Sequence, residues 1–134
     1  MYSGSCLCRE VRYEFDAEPR ACVACHCSNC RKVTGSAFAI WALVPMSAFR
    51  WLSGHELITE FRSSDHGQRF FCRRCGSTLG NLSSERPNLM HLACGTLDRA
   101  PNVRIMMHVY AASKAPWFEL DDGAPQFDEM PPRK

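Results

Sequence analysis

Within nine residues, Cys22-Val23-Ala24-Cys25-His26-Cys27-Ser28-Asn29-Cys30, the chain carries four sulfurs and an imidazole. Ordinary core packing asks for no such cluster, so it constrains the fold more than any other stretch. Cys25, Cys27 and Cys30 form a C-x-C-x-x-C run. The two-residue gap suits a tight turn that aims two sulfurs at one point, and the single-residue gap brings a third alongside. Soft thiolates at these spacings select zinc, which takes four ligands at about 2.3 Å in a tetrahedron.

Two further cysteine pairs flank the cluster. Cys6-Leu7-Cys8 is expected on an extended segment, where side chains two apart share a face. Cys72-Arg73-Arg74-Cys75-Gly76 is a knuckle, whose glycine can take positive φ and turn backbone N–H groups toward the sulfurs. Joined, Cys6, Cys8, Cys72 and Cys75 give a closed four-thiolate site with no vacancy, expected to be structural. Cys25, Cys27 and Cys30 supply only three ligands, as a catalytic zinc that keeps one open position requires. Cys22 is a fourth candidate that would close that site. Crowding four sulfurs into nine residues argues for the open trio, so two zinc ions are expected, one clamped and one reachable.

The remaining composition narrows the class. The 134 residues fit one domain, residues 1–134. A formal charge of +2 with no basic tail points away from nucleic acid. No stretch is apolar and long enough to cross a bilayer, and no apolar leader follows Met1, so a cytoplasmic location is expected. In a reducing compartment clustered cysteines read as metal ligands, and the odd count of nine fits a disulfide framework poorly. A homodimer is compatible with these properties.

The chain between the cysteines reads as mainly β. Val11, Tyr13 and Phe15 alternate with Arg12 and Glu14. Residues 37–44 form a short apolar run stopped by Pro45, expected as a strand buried on both faces. Further strands are expected at 50–52, 57–62, 68–71, 78–82, 88–94 and 105–110, separated by Gly, Pro, Ser and Asn. Ser28-Asn29 is expected to cap one short helical turn. The tail from Lys114 is rich in proline and acid.

Four cations adjoin the cysteines. Arg73 and Arg74 are read as offsetting thiolate charge, whereas Arg31 and Lys32 also qualify as receivers of an anionic substrate. His26, between two sulfur ligands, reads as a structural residue or a support for them. His55, His66, His91 and His108 lack ligand-like spacing and read as surface or core residues. Cys94 reads as a small buried hydrophobe, and Phe38 and Trp41 as core.

These residues, in order, resemble the glutathione-dependent formaldehyde-activating enzyme family, which includes centromere protein V-like members. The resemblance rests on Gly4-Ser-Cys6-Leu-Cys8, Val11-Arg12-Tyr13, Cys25-His-Cys27-Ser-Asn-Cys30-Arg31-Lys32 and Thr34-Gly35. It continues through Phe71-Cys72-Arg-Arg-Cys75-Gly76-Ser77, Gly95-Thr-Leu-Asp98, His108 and Lys114-Ala-Pro-Trp117. It implies a zinc-pinned β-tent of splayed antiparallel sheets with short helical turns. It implies the same division of ligands, Cys6, Cys8, Cys72 and Cys75 against Cys25, Cys27 and Cys30. It also implies a carbon–sulfur lyase acting on S-hydroxymethylglutathione, with glutathione and formaldehyde as partners. Arg9 stands where the family places a glycine, so the first turn is expected to differ in shape. The alternatives are an enzyme of this fold acting on another small thiol or aldehyde, and a zinc-stabilised binding or scaffold module without catalysis.

Overall fold

The computed structural model describes residues 1–132. Its strands are β1 Tyr2–Ser5, β2 Arg12–Phe15, β3 Cys22–Cys25, β4 Ala39–Pro45, β5 Phe49–Ser53, β6 Ile58–Arg62, β7 Gly67–Cys72, β8 Thr78–Ser83, β9 Leu89–Ala93 and β10 Ile105–Val109. One helix, α1 Ser28–Thr34, follows β3. The strands form a three-stranded sheet, β1-β2-β5, and a seven-stranded sheet, β10-β3-β4-β9-β8-β7-β6. The protein is mainly β, as the strand spacing implies.

The two sheets share a core. Alternation in β2 sends Tyr13 and Phe15 inward while Arg12 and Glu14 stay outside. Tyr2 stacks on Phe15 with ring centroids 5.1 Å apart, and the pair packs with Val11, just before β2, and with Ala42, Val44, Leu79, Met90 and Leu92 from the other sheet. Each Val, Leu, Met or Phe side chain so buried contributes about 1.5–3 kcal/mol. Strand β4 is buried on both sides. Ala42 and Val44 join this core, while Ala39 and Trp41 face outward into a second cluster with Cys25, Cys30 and Val109.

Three features depart from what local sequence suggests. Strand β10 runs parallel to β3, the rest of the large sheet being antiparallel. No hairpin joins these two strands, so turn geometry does not dictate their direction. Strand β1 is the Ser-Gly-rich segment before the first cysteines, held by its register with β2 and not by its own propensity. Cys6 to Arg9 is a turn, closed by the Arg9 N–H donating to the Cys6 carbonyl at 3.1 Å, instead of an extended segment. The proline- and acid-rich tail also docks. The His108 N–H donates to the Pro125 carbonyl at 2.8 Å, and the Phe127 N–H to the His108 carbonyl at 2.9 Å.

Gly4 is required by a close approach. Its Cα faces the Tyr13 hydroxyl, which sits 2.7 Å from Thr96 Oγ1. A Cβ there would meet that hydroxyl and lie 2.5 Å from the Thr96 carbonyl oxygen. Gly4→Ala is therefore expected to destabilise the fold by about 1–3 kcal/mol through overpacking, read as a lower urea midpoint at unchanged slope.

Candidate metal centres

The first centre forms where the two sheets are stitched together. Cys6 and Cys8 lie on the turn after β1, and Cys72 and Cys75 on the knuckle that ends β7. The four Sγ atoms fall within 4.8 Å of one another. Cys6 Sγ is 3.5 Å from Cys8 Sγ, which is 3.9 Å from Cys72 Sγ. Sulfurs about 2.3 Å from a tetrahedral zinc stand about 3.8 Å apart, so the donor set fits. Backbone geometry supports the cradle. The Val11 N–H donates to Cys6 Sγ at 3.4 Å, and Gly76 at φ 78° lets its N–H reach the Cys72 carbonyl at 2.8 Å. The Leu7 N–H donates to Ser77 Oγ at 2.9 Å, tying one pair of cysteines to the other. Arg9, in the place of the family's glycine, takes the glycine conformation anyway, at φ 69°. Arg74 pairs with Glu10 at 3.0 Å on the surface.

The second centre sits on the outer face of the large sheet. Cys25 ends β3, Cys27 caps α1, and Cys30 lies in the first turn of that helix. Cys27 Sγ accepts from the Cys30 N–H at 3.3 Å, a sulfur doing the work of an N-cap oxygen. The Trp41 indole N–H and Arg69 Nη1 both donate to Cys30 Sγ, at 3.4 and 3.6 Å. The Arg69 guanidinium lies 5.8 Å from the Trp41 ring centroid, and its Nε donates to Ser63 Oγ at 3.0 Å.

Proton affinities in the trio pull apart. Cys27 is drawn far below the ordinary thiol range, first by hydrogen bonds from Cys25 and Cys30 and further by the Cys30 N–H and Arg69. Cys25 is pushed up by its hydrogen bonds to Cys27 and Cys30 and by burial. Three converging sulfurs cannot all carry charge unaided, and a divalent cation removes that conflict.

Cys22 does not join them. It lies three positions before Cys25 on the same strand, so its side chain takes the opposite face and enters the inter-sheet core. Its Sγ is 3.8 Å from Cys94 Sγ. That contact pushes the Cys22 thiol up, with burial adding to it, and draws Cys94 down to about 7. Cys94 is half-buried and paired with a thiol, where sequence suggested a small hydrophobe. Among the described residues the outer group therefore comprises Cys25, Cys27 and Cys30.

The flanking cations occupy different positions. Arg31 Nε donates to the His26 carbonyl at 3.2 Å, beside the ligand loop, and Lys32 is exposed on α1. Arg69, which carries no motif, is a guanidinium that reaches a sulfur of the trio. The pairing of β7 with its two neighbours, Arg69 lying between Phe61 of β6 and Asn81 of β8, places it there.

The sequence model for "Glutathione-dependent formaldehyde-activating enzyme" matches residues 1–113. The chain belongs to this family. It is 32% identical over 83 residues to an uncharacterized lyase of Schizosaccharomyces pombe, a match covering 58% of this chain and 55% of the yeast protein. It is 27% identical over 128 residues to a Halomonas elongata protein provisionally named a glutathione-dependent formaldehyde-activating enzyme, covering 90% and 82% of the two chains. A Rhodobacter sphaeroides protein of known crystal structure shares the fold, with a TM-score of 0.64 at 23% identity over 93% of this chain and 98% of that one. Among the described residues no helix is long and apolar enough to cross a membrane.

Replacing single cysteines separates the centres. Metal analysis of the purified protein should find one equivalent fewer in Cys30→Ser and none fewer in Cys22→Ser. A cross-link joining Cys8 to Cys72, 64 positions apart, stabilises by about 4 kcal/mol on loop closure alone. Cys72→Ser should therefore lower the thermal midpoint far more than Cys30→Ser. Arg9→Gly should raise stability slightly, by about 0.5–1 kcal/mol, because glycine adopts that φ without strain.

Proposed function

We propose that the outer trio is the active centre of a carbon–sulfur lyase that joins a small thiol to an aldehyde and splits the adduct. Glutathione and formaldehyde, from which the family takes its name, are the reactants we assign. The observation that carries this reading is that Cys25, Cys27 and Cys30 converge while Cys22 turns to the opposite face of its strand. A zinc ion on three thiolates would supply one open position and the Lewis acidity that favours the thiolate form of a substrate thiol near neutral pH. In this reading Cys6, Cys8, Cys72 and Cys75 hold a second, structural zinc.

The chain's own residues account for the rest. The sulfur of the thiol forms a bond to the aldehyde carbon, the carbonyl π pair moves to oxygen, and a proton from solvent completes the hydroxymethyl group. The reverse breaks the same carbon–sulfur bond. Because three thiolates would blunt the electrophilicity of a metal held there, orientation of the thiol would matter more than polarisation of the aldehyde. Trp41, Leu43, Ala93, Val23 and Met107 make the surroundings apolar, which strengthens charged contacts there. Arg69 offsets thiolate charge through Cys30, and its remaining N–H groups can receive a glutathione carboxylate. Lys32, exposed on the helix that carries Cys30, is the second candidate for that carboxylate. Arg31 holds the ligand loop through Nε, and its Nη groups are a third candidate for that carboxylate.

Exchange NMR on the zinc-loaded protein with glutathione and formaldehyde tests the reading. Interconversion of free and adducted glutathione should run faster than the spontaneous reaction, and Cys30→Ser should return it to the spontaneous rate. Arg69→Gln should raise KM for glutathione about 10-fold, the loss of one charge-assisted hydrogen bond of ~1.5 kcal/mol. No acceleration by the wild-type protein, with metal present at both centres, would leave a binding module as the better description.

A further inference from the structure

Two histidines from opposite ends of the chain meet behind the outer trio. His26 lies between Cys25 and Cys27, His108 lies on β10, and each is 1% exposed. His26 Nε2 is 2.8 Å from His108 Nδ1, and His108 Nε2 is 2.8 Å from Asp122 Oδ2. Asp122 Oδ1 accepts from the Ala124 N–H at 3.1 Å. The Phe38 ring closes over the pair, 4.8 Å from His26 and 5.8 Å from His108. Asp122 lies beyond the residues that the family's sequence model matches.

This order of contacts dictates where the protons sit. The Asp122 carboxyl, held below its ordinary range by the hydrogen bond from His108 and then by the Ala124 N–H, only accepts. His108 therefore carries its proton on Nε2, and as a neutral ring offers a lone pair at Nδ1. His26 must then donate from Nε2. Its Nδ1 is left as a bare lone pair, buried and without a hydrogen-bond partner in the protein. The His26 backbone is fixed at both ends, its N–H donating to the Val109 carbonyl at 3.0 Å and its carbonyl accepting from Arg31. Side chain and backbone together leave the Cys25–Cys27 segment little freedom.

We propose that Asp122 and His108 are positioning residues that act through His26. They fix its ring in the Nε2-protonated form, hold the Cys25–Cys27 segment in metal-binding geometry, and leave Nδ1 as the buried, unprotonated nitrogen. Outer partners of this kind typically change metal affinity 10–100-fold when removed. The action on the metal rests on the trio being a metal site, whereas the proton order in the histidine pair does not.

The variant Asp122→Asn isolates the effect, because its amide oxygen should stay on the Ala124 N–H. Its NH2 group then faces His108 Nε2, and every hydrogen bond in the row reverses. Long-range proton–nitrogen NMR on the full, zinc-loaded, 15N-histidine-labelled chain should show His26 protonated on Nε2, identified by the signal lost in His26→Gln. In D122N the proton should move to Nδ1, and Asp122→Glu should restore the original form. In the cobalt-loaded protein D122N should weaken binding of the second equivalent 10–100-fold and shift its visible bands, leaving the four-sulfur centre's bands in place. A His26 protonated on Nδ1 in the wild type overturns the proposal, and that measurement holds even where D122N does not fold. A D122N that changes neither tautomer nor second-centre spectrum overturns it too. A wild-type trio that takes no metal overturns the proposed function and the action on the metal, while the tautomer still reports on the hydrogen-bonded row.

Discussion

The convergence of Cys6, Cys8, Cys72 and Cys75 is the constraint on which the rest depends. The small sheet contributes the first pair and the large sheet the second. Hydrophobic burial pulls the sheets together but is indifferent to small shifts between them. Four sulfurs within bonding reach of one ion are not, since a displacement of an ångström breaks the tetrahedron. The hydroxyl of Ser77 makes the same point at smaller scale, accepting from the Leu7 N–H and lying 3.2 Å from Cys75 Sγ. A metal held by these four sulfurs would make metal supply and thiol deprotonation conditions for the fold.

Parity along a strand then separates the two centres from everything else. On β3, Cys22 and Cys25 are an odd number of positions apart, so one sulfur enters the inter-sheet core and the other faces outward. A one-residue slip of β3 against β4 would exchange them. That slip is opposed on both faces, because Ala42 opposite Cys22 is packed as tightly as Ala39 opposite Cys25. The outer trio is thus a consequence of a strand buried on both sides.

Chemistry was more legible in the sequence than topology. Cysteine spacing alone marked Cys6, Cys8, Cys72 and Cys75, and the outer Cys25, Cys27 and Cys30, as sets that meet in space. Alternation marked β2, and the apolar run at 37–44 marked β4. The parallel partnership of β10 was not visible, because hydrophobic pattern is the same whichever way a strand runs. Strand β1 was hidden by Ser and Gly, whose place is set by Tyr13 across the pair. Contacts between distant positions were hidden in the same way. Cys22 with Cys94, Arg69 with Cys30, and His26 with His108 lie 72, 39 and 82 positions apart. No local rule reaches across such separations.

Arg69 shows that a counter-charge can come from outside the motif. Arg31 and Lys32 adjoin Cys30 in sequence, but a helix turns successive side chains about 100° apart, so neighbours of a buried ligand point elsewhere. The cation that does reach the sulfur comes from β7, three positions before Cys72. The same parity that sends Phe70 and Cys72 into the core sends Arg69 out toward the trio. One strand thus ends in a cysteine of the four-sulfur group and presents a guanidinium to the outer trio.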